Sequence, residues 1–181
     1  VQISLMVLSS REVVDLVVGQ RCDLGIIVLP NTYPSPRAEK LLATRMLCAL
    51  PANHRLRDKT TIQPEDLEGE AFISYPQSIG SRQHIDSIFA AYGVERTLRL
   101  ETQLSLPMCA FVEQGLGVAL VDAISAVEYR GSGVVFRAFE PAIEMDFSML
   151  LPVQGPASKL QIAFLEHMQD FIGREVPAGY R

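Results

Sequence analysis

Apolar positions in this chain switch between two periods, short strand-like runs and stretches in which hydrophobic side chains recur every three or four residues. "VQISLMVL" reads as a strand and "SSREVVDLVVGQ" as a helix, capped by Ser9 or Ser10, with Val13, Val14, Leu16 and Val17 on one face and Gly19 at its end. "CDLGIIVL" is a continuous apolar run suited to a strand buried on both faces, which would complete a right-handed βαβ unit. "PNTYPSPR" must be a loop, because its three prolines cannot donate to a ladder. A strand ending at Pro51, a capped helical turn from Pro64 to Gly69 and a strand in "EAFISYP" follow.

Next comes a predicted helix capped by Ser81, carrying Ile85, Ile88, Phe89 and Tyr92 and closed by Gly93. "TLRLETQL" alternates as a strand, "SLPMCAFVEQG" is helical from a capping Ser105, and "GVALVDA" is again a strand. The remainder reads as a weak helix "ISAVEYR", strands "GVVFRAF" and "DFSMLLPV", and a last helix amphipathic through Leu160, Phe164, Leu165, Met168 and Phe171. Strand and helix alternate throughout, which predicts an α/β fold with a mainly parallel sheet, arranged as two small Rossmann-like lobes.

Composition narrows this picture. With 181 residues, the chain suits one domain or two lobes, and 48% hydrophobic with 20% charged residues is ordinary for a globular protein. It opens directly on an apolar strand without Met, so it is expected to start inside a larger protein. A net charge of −5 provides no basic stripe for a phosphate backbone, so DNA contact is expected only through a part not in this sequence. No apolar run reaches the roughly 18 residues of a membrane span, and no signal-peptide pattern opens the chain. Cys22, Cys48 and Cys109 are odd in number and lack ligand spacing, which predicts reduced thiols, no metal and a cytoplasmic setting.

Candidate chemistry is sparse. The glycines of "EQGLGVAL" resemble a nucleotide fingerprint, but they follow a helix and precede a strand, and Leu120 stands where the third glycine belongs. A helix C-terminus presents carbonyls and repels phosphate, so Gly115 is predicted as a left-handed helix stop and Gly117 as a tight turn. His54, His84 and His167 have no partners at catalytic or ligand spacing and are expected at the surface, and the carboxylates of "PEDLEGE" read as a solvated acidic turn. No nucleophile elbow, zinc-protease or P-loop motif occurs, so no catalytic residue, metal ligand or cofactor site is expected. What remains are polar residues at strand-to-helix junctions, where α/β folds bind ligands. These are Ser74, Gln77, Ser78, Ser81 and Arg82 in "ISYPQSIGSR", and Thr102, Gln103 and Ser105 in "ETQLSLP".

The ordered combination "REVVDLVVGQRCDLGIIV", "MLCALPANHRLRDKTTIQPEDLEGEAFISY", "LETQLSLPMCAFVEQGLGVALVD" and "MLLPVQGPASKL" resembles the effector-binding domain of LysR-type transcriptional regulators over nearly the whole chain. "FISYPQSIGSRQHIDSIFAAYGVERTLRLETQLS" is further similar to the subgroup regulating opine and amino-acid catabolism, such as the octopine and nopaline regulators. The resemblance implies the type II periplasmic-binding-protein architecture, here N-terminally truncated by one strand and one helix. Lobe I would comprise residues 1–73 and 138–181, and lobe II residues 74–137.

It also implies a ligand-sensing, dimerising function rather than an enzyme. The effector, an amino acid, opine or other organic acid, would sit between the lobes and control DNA binding by an N-terminal domain absent from this sequence. By position, Pro30, Asn31, Ser74, Tyr75, Gln77, Ser78, Gln103, Leu104, Ser105 and Asp122 would line that cleft, with Asp122 or Glu101 answering an amine. "REVVDLVVG" of one copy would pack against "RQHIDSIFAAYG" of another in a homodimer or tetramer. The alternatives are a secreted solute-binding protein, which requires a signal sequence upstream, and an enzyme on the same fold. The latter requires a convergent catalytic cluster, for which only Arg82 and Asp122 are at hand.

Overall fold

The computed structural model describes residues 2–29, 38–152 and 155–176. Its elements are α1 (Ser10–Val18), β1 (Gly25–Leu29), β2 (Ala38–Pro51), β3 (Thr61–Ile62), β4 (Ala71–Ser74), α2 (Gly80–Ala91), β5 (Thr97–Glu101), α3 (Ser105–Glu113), β6 (Val118–Asp122), α4 (Ala123–Glu128), β7 (Val134–Phe139), β8 (Glu144–Leu150) and α5 (Lys159–Glu175). A 3-10 turn, Pro64–Leu67, lies between β3 and β4 where a helical turn is predicted. The chain divides into two units, one built on Val1–Ala43 and Asp146–Pro177, the other on Thr44–Met145. The family resemblance implies lobe divisions at 73/74 and 137/138. In the structure the chain passes between units within β2 and β8.

In the first unit, Ser9 caps α1 in a reciprocal box with Glu12, and Gly19 ends it. Val13, Val14 and Val17 pack on Ile27 of β1 and Leu150 of β8. Gly25 permits this approach, since a Cβ there would come within 2.3 Å of Val13 Cγ1. β1 pairs antiparallel with β8, from Gly25 opposite Leu150 to Leu29 opposite Asp146. The strand predicted at "VQISLMVL" is not formed: residues 2–9 join no ladder, and Leu5 is 87% exposed. A strand is stabilised by its neighbours, and no described residue supplies one, so the βαβ unit lacks its first member. α5 is capped by Ser158 and Gln161, but its predicted apolar face is only partly covered. Phe164, Leu165 and Met168 are half-buried, while Leu160 and Phe171 are exposed.

The second unit carries the larger core. Its strands lie in the order β5, β4, β6, β2, β7, β3, with β4 parallel to β5 and β6, and β3 parallel to β7. β2 is antiparallel to both β6 and β7. The sheet of this unit is therefore mixed, three of these pairings parallel and two antiparallel, because the long β2 enters it against the direction of its two neighbours. Phe89 packs edge-on against Phe72 at 5.7 Å and stacks on Phe139 at 6.0 Å, and Met46, Ile73, Ile85, Met108 and Leu120 are fully buried around them. Each such side chain contributes about 1.5–3 kcal/mol by leaving water.

Several local expectations change. Ile79 and Leu104, not Ser81 and Ser105, occupy the N-cap positions of α2 and α3, and neither helix has a side-chain cap. Both serines lie inside the first turn, where a hydroxyl cannot reach the orphan amides. Tyr92 is exposed although predicted on the buried face. The acidic turn is not merely solvated. Glu70 pairs with Arg55 at 2.8 Å and with His54 at 3.4 Å, and Asp66 pairs with Lys59, so His54 is also largely enclosed. Burial works against the Asp66 carboxylate, but Lys59 and the Gln63 amide hold it below the usual range. Gly115 is the predicted left-handed stop at φ +72.

Candidate functional site

Strand register places several polar residues of the second unit toward the carboxyl end of β4, β5 and β6, with Ser74 level with Cys48 of β2 and Thr44 four residues further along β2. Ser74, the last residue of β4, lies opposite Glu101 of β5. Asp122, the last of β6, lies opposite Met46 of β2, with Thr44 two residues further toward the same end. This is the carboxyl end of the parallel strands β4, β5 and β6, where loops and helix N-termini collect. The Thr102 amide donates to the Ser74 carbonyl at 3.0 Å, so the β5–α3 turn leaves directly beside Ser74.

Two buried hydroxyls here are unusual. Ser74 is 1% and Thr44 6% exposed, and neither side-chain oxygen has a hydrogen-bond partner among the described residues. Burial of an unpaired hydroxyl costs about 1–3 kcal/mol, so each calls for an explanation. The N-terminus of α3 is close by and also uncapped. Ser105 and Leu106 carry free first-turn amides, while Pro107 has none to offer. Leu104 and Leu106, both nearly half exposed, form an apolar rim.

The remaining predicted residues fall into distinct groups. The Tyr75 hydroxyl lies 2.6 Å from the Ser105 hydroxyl, both buried. Burial, reinforced by the charge of Asp122 and opposed by Ser105, drives the Tyr75 phenol well above its usual range, so it stays a neutral hydroxyl. Gln77, Ser78 and Gln103 are exposed in the adjoining turns. Asp122 caps α4: its two oxygens accept from the Ser125 amide and hydroxyl, both at 2.8 Å. Its carboxylate is thereby engaged, as is that of Glu101, which accepts from Arg82 at 2.6 Å. Pro30 and Asn31 lie outside the described residues. Thr44, which the sequence pattern does not single out, sits inside the apolar run "LLATRMLCAL", where a lone hydroxyl at an inward strand position is the signal that marks it.

Arg82, predicted on a junction, is instead 4% exposed, with Nε donating to Asp86 and Nη1 to the Tyr75 carbonyl and Glu101. A separate cavity of about 390 Å³ lies between the end of α2 and the start of β5, lined by Phe89, Val94, Arg96 and Leu98 among others. No group of three or more metal-ligating side chains gathers among the described residues. No described helix is long and apolar enough to cross a membrane.

Residues 1–172 match the family described as LysR substrate binding domain. The chain is 35% identical over 170 residues to the regulatory protein NocR of Agrobacterium tumefaciens strain T37, covering 94% of this chain and 57% of NocR. It is 30% identical over 173 residues to the octopine catabolism/uptake operon regulatory protein OccR of Rhizobium meliloti, covering 94% and 56%. This chain thus spans somewhat more than half the length of these relatives. Its fold resembles the CcmR regulatory domain of Synechocystis PCC6803 in complex with 2-PG, with a TM-score of 0.80, 18% identity, and coverage of 98% and 86%.

Proposed function

Because this chain belongs to the LysR substrate-binding domain family, we propose that it senses a small carboxylate effector on behalf of a bacterial transcriptional regulator. The orphaned hydroxyls of Ser74 and Thr44 carry this reading. A buried polar group without an internal partner suits a ligand that supplies one. The free amides and positive dipole end of α3 favour an anion beside them, and Leu104 and Leu106 suit an apolar body attached to it. Tyr75, Gln77, Ser78, Gln103 and Ser105 complete the second unit's share of the site.

Asp122 and Glu101 are spent on Ser125 and Arg82, so the second unit favours the acid end of an effector over an amine. Within the whole regulator this domain binds rather than catalyses. The effector acts by favouring one conformation over another, and DNA is reached through a separate domain in the cytoplasm. Pairing of α1 from one copy with α2 from a second makes the functional unit a homodimer or a dimer of dimers.

The test is a thermal-shift screen of octopine, amino acids, 2-PG and aromatic acids against the wild type and a Ser74→Ala/Thr44→Val double variant. At least one acid is expected to raise the wild-type Tm, and the double variant should lose that shift. An equal shift in both proteins would remove these hydroxyls from the site.

A further inference from the structure

We propose that Arg82 is a positioning residue for the strand-end site: it fixes the end of β4 from beneath without touching the effector. This rests on the effector reading above. Pairing of β4 with β5 ends at Ser74 opposite Glu101, and the Ser74 carbonyl is taken by the Thr102 amide. The next carbonyl, that of Tyr75, lies past the ladder. Arg82, on the helix into which the same loop leads, donates to it from Nη1 at 2.7 Å and places the same nitrogen 2.6 Å from Glu101 at the end of β5.

The other side of the guanidinium anchors the clamp. Nε donates to both oxygens of Asp86 at 2.8 and 2.9 Å, and Asp86 is also held by Arg96, whose guanidinium lies 4.7 Å over the Phe89 ring and 5.0 Å over Phe72. The arginines of this network are buried but its carboxylates are nearly half exposed, and ion pairs open to water on one side add little stability. What the planar fork adds is direction. It fixes the Tyr75 backbone, and through the Tyr75–Ser105 hydroxyl pair it fixes the first turn of α3, so Ser74 and the α3 amides stand at one spacing.

Backbone amide exchange and the ¹³Cζ shift of Tyr75, recorded by NMR on the protein without added ligand, test this. Arg82→Met should accelerate exchange at Thr102 by about tenfold or more and move the Tyr75 signal, while Leu120 in the neighbouring strand changes by less than about twofold. Arg82→Lys, which keeps the charge but lacks the planar fork, should also accelerate exchange at Thr102, by about threefold or more. Should Arg82→Met not fold, Glu101→Gln serves instead, with an expected acceleration of about threefold at Thr102. Equal acceleration at Thr102 and Leu120, or no change at Thr102 and Tyr75, would overturn the proposal. None of these measurements involves an effector, so loss of the sensing reading and loss of the clamp are separate outcomes.

Discussion

The Tyr75 and Ser105 hydroxyls, 2.6 Å apart, tie the end of β4 to the first residue of α3 across 30 positions of sequence. Tyr75→Phe removes one partner and leaves the other buried, which should cost about 1 kcal/mol. In a double-mutant cycle with Ser105→Ala, urea unfolding should return a coupling energy of similar size, about 0.5–1.5 kcal/mol. Strict additivity would mean that the two hydroxyls do not support each other.

Ser74 and Thr44 should behave in the opposite way. Because their hydroxyls are buried without protein partners, Ser74→Ala and Thr44→Val are expected to leave the ligand-free protein as stable as wild type or up to about 1 kcal/mol more stable. Denaturant midpoints measure this directly. A loss of more than about 1 kcal/mol from either substitution would mean that the hydroxyl has an internal role.

The two glycines after α3 should respond unequally. A Cβ at Gly117 would come 2.5 Å from the Ala71 carbonyl oxygen, which is backbone and cannot step aside, whereas at Gly115 it would meet nothing within 4 Å. Gly115→Ala should cost about 1–2 kcal/mol through its left-handed φ, and Gly117→Ala about 3 kcal/mol or more by forcing β4 and β6 apart. Chemical unfolding that ranks them the other way would contradict the close approach.

Thiol reactivity follows burial. Cys48 and Cys109 are fully enclosed, and burial with the nearby Asp122 charge pushes the Cys109 thiol up to about 12, while Cys22 is partly accessible. An Ellman titration of the native protein at pH 8 should count one fast thiol, with the other two appearing only on unfolding. Two or more fast thiols would show that the core opens readily.

Acid should weaken the second unit through Glu113. The Tyr129 hydroxyl at 2.7 Å, then the Gly133 amide at 2.7 Å, hold its carboxyl below the usual 4.5. The folded state therefore binds this proton more weakly than the unfolded chain. Its contribution is complete above pH 4.5 and is lost as pH falls through the lower folded value. Comparing Tm at pH 7 and pH 3, wild type should lose more than Glu113→Gln. Parallel losses would assign the acid sensitivity elsewhere.

Most elements were legible in the sequence because they depend on local patterns: a serine cap at Ser9 or Ser10, the Pro64 turn, the Gly115 stop and the buried run of β6 need only neighbours along the chain. The ordered motifs likewise carried the LysR resemblance. Tertiary structure decided what depends on partners. Residues 2–9 have strand pattern yet no ladder, since pattern cannot supply a neighbouring strand. Arg82, Ser105 and Asp122 appear as available polar groups in sequence, and folding commits them to Tyr75, Glu101 and Ser125. Thr44 and Ser74 acquired their significance only when register brought two distant strands to one sheet end and packing closed over both hydroxyls. Periodicity specifies which face of an element is apolar, whereas the pairing of a buried polar atom is a property of the assembled sheet.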